Sequence, residues 1–185
     1  IVMTACLSLV DIAGLVRLWR LRPSEFALSI ACFMGVALIG VVPGIFFAVA
    51  LALAAVIWRA WRPYSAVLGR VEGLKGYHDL ARHPEALQVE GLVLFRWDAP
   101  LFFANAELFH ESVLAAVAQS PTPVRRIIVS AEPVTSIDVT SADVLAELAQ
   151  SLRESGIELR FAEMKDPVKD KLKRFELLEH LGAAS

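Results

Sequence analysis

The segment Val134-Thr-Ser-Ile-Asp138-Val-Thr140-Ser141-Ala-Asp143 holds the densest set of side chains able to do chemistry, with two adjacent hydroxyls between two carboxylates where a strongly patterned helix begins. A hydroxyl exposed at a helix N-terminus could accept a phosphate, which would meet unpaired N–H groups and the favourable end of the helix dipole. The same letters have a structural use. Thr140-x-x-Asp143 has the spacing of a capping box, with Thr140 satisfying an orphan amide, and spacing alone favours that cap. Elsewhere the chemistry thins out. The sequence has no G-x-x-x-x-G-K-[ST], no strand-linked G-x-G-x-x-G and no H-E-x-x-H, so phosphate-cradling and zinc-protease arrangements lack support. His78, His83, His110 and His180 fall in different segments and read as surface residues, while Cys6 and Cys32 sit in apolar sequence as small hydrophobes. The cations from Lys165 to Arg174 alternate with Asp166 and Asp170, the pattern of a solvated helix face. No catalytic set, metal site or cofactor is expected, and the chain is not expected to be an enzyme.

Strands and helices alternate around this segment. Ala66–Val71 is a short strand, and Gly91–Asp98 is a strand of strong β formers that Leu101–Phe103 would continue after the Ala99-Pro100 turn. Asn105 suits an N-cap for a helix whose Phe109, Val113 and Val117 share a face. Val124–Ala131 is a strand, and its Ile127-Ile128-Val129 run predicts burial on both sheet faces. Thr140–Ser155 is the best helix, with Leu145, Leu148 and Leu152 as its core stripe. Ile157–Glu163 alternates as a half-buried strand. Asp166-Pro167 would supply the N-cap and first residue of a helix, with a last short turn ending at Gly182. Residues 64–185 therefore predict an α/β domain, a central mixed β-sheet of four to five strands packed by helices.

Composition places a different environment before it. Of 185 residues 56% are hydrophobic and the mean hydropathy is +0.56. That content divides near Pro63, at about 71% before it and about 48% after it, the latter an ordinary soluble value. The net charge of −2 divides likewise, into about +3 and about −5. A disordered chain, a disulfide-stapled miniprotein and a basic nucleic-acid binder are excluded, so no nucleic-acid partner is expected. From Phe26 to Trp58 the sequence has no Asp, Glu, Lys or Arg. As one helix this run would reach about 50 Å, too long for a hydrocarbon core of about 30 Å. Arg17, Arg20 and Arg22 precede it and Arg59 and Arg62 follow, which predicts two crossings with both ends cytoplasmic. The hairpin at 26–58 would break at Gly40-Val-Val-Pro43-Gly44, leaving two arms of about 16 residues. Ile1–Leu21 reads as the end of a further span, so residues 1–63 predict the C-terminal transmembrane helices of a larger polytopic protein, with more helices upstream and the lipid bilayer as partners.

The run Asp98-Ala-Pro-Leu-Phe-Phe-Ala-Asn-Ala-Glu107, then Ile137-Asp-Val-Thr140, Gly156-Ile-Glu-Leu and Asp166-Pro-Val, resembles the STAS domain of the SulP, or solute-carrier-26, anion transporters. The hairpin with Gly40, Pro43 and Gly44 after Leu18-Trp-Arg-Leu-Arg22 is similar to the last, gate-side helices of that family. The resemblance implies secondary transport of sulfate or a related small inorganic anion by a fourteen-helix membrane domain. It implies a homodimer in the inner membrane, multi-pass, with the STAS domain cytoplasmic and serving regulation, folding and dimer contacts. The anion site would lie upstream of Ile1, so no anion-binding residue carries over. STAS domains also resemble anti-sigma-factor antagonists, whose phosphoacceptor hydroxyl stands two residues after an Asp. Thr140 after Asp138 matches that position, although Asp138-Val-Thr-Ser141 departs from the usual Asp-Ser-Ser-Gly. Asp138, Thr140 and Ser141 thus form the candidate regulatory loop, and the resemblance implies a regulatory protein or a nucleotide as a partner of the STAS domain. A membrane-tethered signalling module of the antagonist type is the competing reading.

Overall fold

The computed structural model describes residues 11–177, so Cys6, His180 and the turn expected at Gly182 lie outside the described residues. The chain divides into two compact units, Ile1–Arg59 and Ala60–Ser185.

In the first unit, α1 (Ile12–Leu21) is capped by Asp11, whose carboxylate accepts from the Gly14 N–H at 2.8 Å. Helix α2 (Pro23–Ile39) and helix α3 (Val41–Trp61) follow, separated by Gly40 alone. The break therefore falls at Gly40 and not at Pro43. Gly40 has φ +105°, a conformation closed to most L side chains, whereas Pro43 sits in the first turn of α3, where its absent N–H costs little. The arms are unequal, with 17 and 21 residues in place of two of about 16. At the turn the helices nearly touch through backbone, since a Cβ on Gly44 would lie 2.5 Å from the Cα of Val36. At their other ends Arg59 reaches Glu25 at 3.8 Å, so α2 and α3 run back along each other. Only α3 is both long and apolar enough to cross a membrane among the described helices.

The second unit is a five-stranded mixed sheet in the order β2-β1-β3-β4-β5. Its strands are β1 (Ser65–Gly69), β2 (His78–Asp79), β3 (Leu92–Trp97), β4 (Arg126–Ser130) and β5 (Glu158–Ala162). Strand β1 pairs antiparallel with β2 and β3, while β3, β4 and β5 are parallel. Parallel neighbours need crossovers, supplied here by α4 (Ala106–Ala118) and α5 (Val139–Glu154), with α6 (Asp166–Arg174) after the last strand. One sheet face carries the core: Val93, Phe95, Trp97, Ile127, Val129, Leu159 and Phe161 meet Phe109 and Val113 of α4 and Leu145, Leu148 and Leu152 of α5. Phe109 sits edge-on to Trp97, with ring centroids 5.3 Å apart.

Several sequence expectations shift. Ile128 is half-buried, not buried, because its sheet face carries Arg160 directly opposite it, with Arg96, Arg126 and Glu158 on the same face, and no helix core. Leu101–Phe103 does not continue β3; Leu101 makes a single parallel bridge to Ile137. Asn105 stands at the N-cap of α4, but its side chain makes no cap bond. Lys165, not Asp166, is the N-cap residue of α6.

Candidate functional site

The loop before α5 is held at several points. Leu101 N–H donates to the Ser136 carbonyl at 3.0 Å, and Lys171 Nζ of α6 donates to the Ile137 carbonyl at 3.1 Å. Ile137 itself is buried. With the residue before it pinned in the core, Asp138 is the last extended residue, at φ −105° and ψ 176°, and becomes the N-cap of α5. The capping box is therefore Asp138 with Ser141, not Thr140 with Asp143. Asp138 Oδ1 accepts from the Ser141 N–H at 2.9 Å, and the Asp138 N–H donates to the Ser141 hydroxyl oxygen at 3.1 Å. The Ser141 hydroxyl in turn lies 2.7 Å from Asp138 Oδ1 and 3.3 Å from the Leu101 carbonyl.

The three expected site residues thus separate by role. Ser141 is buried, and its hydroxyl is committed to the cap. Asp138 also reaches out of its helix, its Oδ2 accepting from the Phe103 N–H at 2.8 Å. Burial by itself would raise the Asp138 carboxyl; the donors from Ser141 and Phe103 outweigh it and hold the carboxyl below its ordinary value, hence ionised. Thr140 alone is exposed. It occupies the second helical position, where backbone N–H groups have no intrahelical acceptor. Val139 before it is 59% exposed, and Phe103, whose N–H donates to Asp138, is 71% exposed. A phosphate on Thr140 would meet free amides and the helix dipole on one side and the fixed negative charge of Asp138 on the other.

Asn105 is the residue whose function the sequence hid. Fully buried, it accepts from the Phe102 N–H at 3.0 Å and donates to the carbonyls of Pro100 at 2.9 Å and Ala60 at 3.3 Å. It thereby fixes the turn that presents Phe103 to Asp138. Its sequence signal was there, in an Asn preceded at short distance by Pro100, but a cap explained the same letter.

Among the described residues no group of three or more His, Cys, Asp and Glu side chains is placed to hold a metal ion. The other polar cluster lies on the β1–β2 edge, where Tyr64 hydrogen-bonds Asp79 and Arg82 lies over the Tyr64 ring at 5.9 Å. Its charges are paired, Arg96 meeting Asp98 at 2.6 Å.

The STAS domain family model matches residues 83–183. A probable sulfate transporter of Mycobacterium tuberculosis is 38% identical over 182 residues, which is 98% of this chain and 32% of that protein. High affinity sulfate transporter 2 of Stylosanthes hamata is 30% identical over 190 residues, covering 98% of this chain and 29% of that protein. The chain thus spans about a third of the length of the curated relatives it matches. Among solved structures, the murine Solute Carrier 26 family member A9 anion transporter in the inward-facing state superposes with a TM-score of 0.80 at 20% identity. That match covers 95% of this chain and 28% of the other, and it bears on the fold.

Proposed function

The chain belongs to the STAS-domain family, and from that premise we propose that it is the C-terminal part of a secondary transporter of sulfate or a related small inorganic anion. The observation that carries this reading is the extent of the likeness: relatives named as sulfate transporters match 98% of the chain, apolar helices included. A family domain borrowed for another purpose would need to match only from about Pro63 onward.

In this reading residues 1–63 are gate-side membrane helices and residues 64–185 a cytoplasmic STAS domain. Helices α2 and α3 cross the bilayer and return, with Gly40 at the far side. The arginines at both ends hold those ends on the cytoplasmic face. At 17 residues, about 26 Å, α2 is short for a full span and relies on neighbouring helices of the same membrane domain. The STAS domain is not the conduit. It contributes folding and dimer contacts, and the Asp138–Ser141 cap with exposed Thr140 is its regulatory surface. Modification or docking there acts through charge: Asp138 is already ionised, so added negative charge on Thr140 competes with it for the helix amides and loosens its hold on Phe103.

The test is sulfate uptake by the full-length protein reconstituted in vesicles, wild type beside Thr140→Glu. Uptake by the wild type and an altered rate or altered dimerisation in the variant are expected. Wild-type vesicles that take up neither sulfate nor a related anion would overturn the transport reading. Unchanged flux together with unchanged dimerisation in Thr140→Glu would overturn the regulatory one.

A further inference from the structure

Helix α1 presents a mixed face. Leu15 and Leu18 are half-buried, while Ala13, Val16, Arg17 and Arg20 recur at i, i+3, i+4 and i+7 on the exposed side. Together with Leu21 they line an open groove of about 680 Å³. Trp19 meets Phe26 edge-on at 5.0 Å, which fixes α1 on α2 across the Arg22-Pro23 link.

The two arginines in this groove differ from their neighbours. Arg22 lies 2.6 Å from Glu25 and Arg59 lies 3.8 Å from the same carboxylate, so both have a counter-charge. Arg17 and Arg20 have no acidic partner among the described residues, and residues 1–10 contain no Asp or Glu to supply one. Two guanidinium groups without an acidic partner among the described residues, set beside apolar walls, suit an amphiphilic anion.

We propose that Arg17 and Arg20 bind the phosphate of an anionic phospholipid headgroup, with the acyl chain lying along Ala13, Val16 and Leu21. Guanidinium forks match phosphate oxygens geometrically, and two of them one helical turn apart can hold a single phosphodiester. The apolar walls give a lipid an advantage over free phosphate or sulfate, which would gain nothing from them. Trp19 on the same short helix suits the headgroup level of a bilayer. The inference rests on the membrane placement proposed above.

Native mass spectrometry of the full-length protein in detergent tests it, with phosphatidylglycerol and phosphatidylcholine added in turn. Each cation near an anionic lipid is worth about a fivefold change in binding, so Arg17→Gln/Arg20→Gln should lower phosphatidylglycerol retention by more than about tenfold. Arg17→Lys/Arg20→Lys should keep more of it, and Arg59→Gln, whose charge Glu25 already meets, should change it by less than about twofold. Equal retention of the two lipids by the wild type, or wild-type phosphatidylglycerol retention in the double Gln variant, would overturn the proposal; the second is the result if an upstream segment covers α1. Displacement of the lipid by millimolar inorganic phosphate would also overturn it, marking a site for free anions. Flotation of the protein with pure phosphatidylcholine vesicles separates this from the parent reading. A protein that floats without selecting phosphatidylglycerol loses only the lipid site, and one that does not float loses the membrane placement.

Discussion

The two units invert each other's relation between sequence and burial. In the α/β unit Phe109, Ile127, Val129 and Leu148 are wholly buried. In α2 and α3, which are far more apolar, only Gly35 and Gly44 are buried, while Phe33, Leu38 and Phe46 are about 70% exposed. Hydrophobic sequence is thus organised in two ways. One unit aims its apolar side chains at itself and leaves polar ones outside; the other packs by glycine and turns its apolar side chains outward, the arrangement expected when the surroundings are apolar.

The sharpest way to break that contrast is the same substitution in both units. Phe109→Ala should cost about 3–5 kcal/mol of the α/β unit's stability, read by denaturant unfolding, because it empties the space between Phe95 and Trp97. Phe46→Ala should leave that unfolding unchanged; a comparable loss from Phe46 would mean the helices share the domain's core. Next comes charge. Leu53→Arg, at an exposed position near the middle of α3, should disfavour membrane insertion by about 3 kcal/mol, read as the inserted fraction in a translocation assay. Insertion as in the wild type would remove α3 from the bilayer.

Within the α/β unit, Ser141→Ala should cost about 1–2 kcal/mol, since it strips the buried acceptor of the Asp138 N–H, whereas Thr140→Ala should cost much less than the roughly 1 kcal/mol expected of a cap. The reverse order would restore Thr140 as the cap. The Asp138 carboxyl titrates lower in the folded chain than its unfolded value of about 3.9. Between the two values the unfolded state binds more protons, so its stabilisation is complete above about pH 4–5 and is lost as pH falls through the folded value. Asp138→Asn should flatten that part of the stability–pH curve. The smallest effect is expected of Arg126→Gln, which removes an exposed partner of Glu158 at 2.5 Å; its denaturant-unfolding midpoint should match the wild type, because solvent screens the pair.

What could be read from the sequence follows the same division. Leu145, Leu148 and Leu152, like the strand around Leu159, announce themselves because burial on one face imposes a period; the strand around Ile127 shows as an apolar run, which hides that only one of its faces is buried. Strand β2 escaped notice, since His78-Asp79 is two residues with no alternation, placed by pairing to Leu68 and Gly69. The capping box was found two residues off because Asp138, Thr140 and Ser141 are all good cap letters. The choice among them depends on where Ile137 enters the core, which is a tertiary fact. At the candidate site the sequence located the loop but not the partition of labour within it. That Ser141 is sealed and Thr140 open follows from the Leu101–Ile137 bridge, a contact across 36 residues. Likewise Gly40 and Pro43 both mark a break in a helical run, and only the left-handed backbone at Gly40 decides between them.

The contrast between the units is tested most directly by single cysteines at Val42, an exposed residue beside the Gly40 turn, and at Thr140, in a cysteine-free background of the full-length protein, labelled with a membrane-impermeant maleimide in right-side-out vesicles. Two crossings by α2 and α3 predict that Val42→Cys reacts from outside while Thr140→Cys reacts only after the vesicles are opened. Reaction of both from the same side would contradict the account.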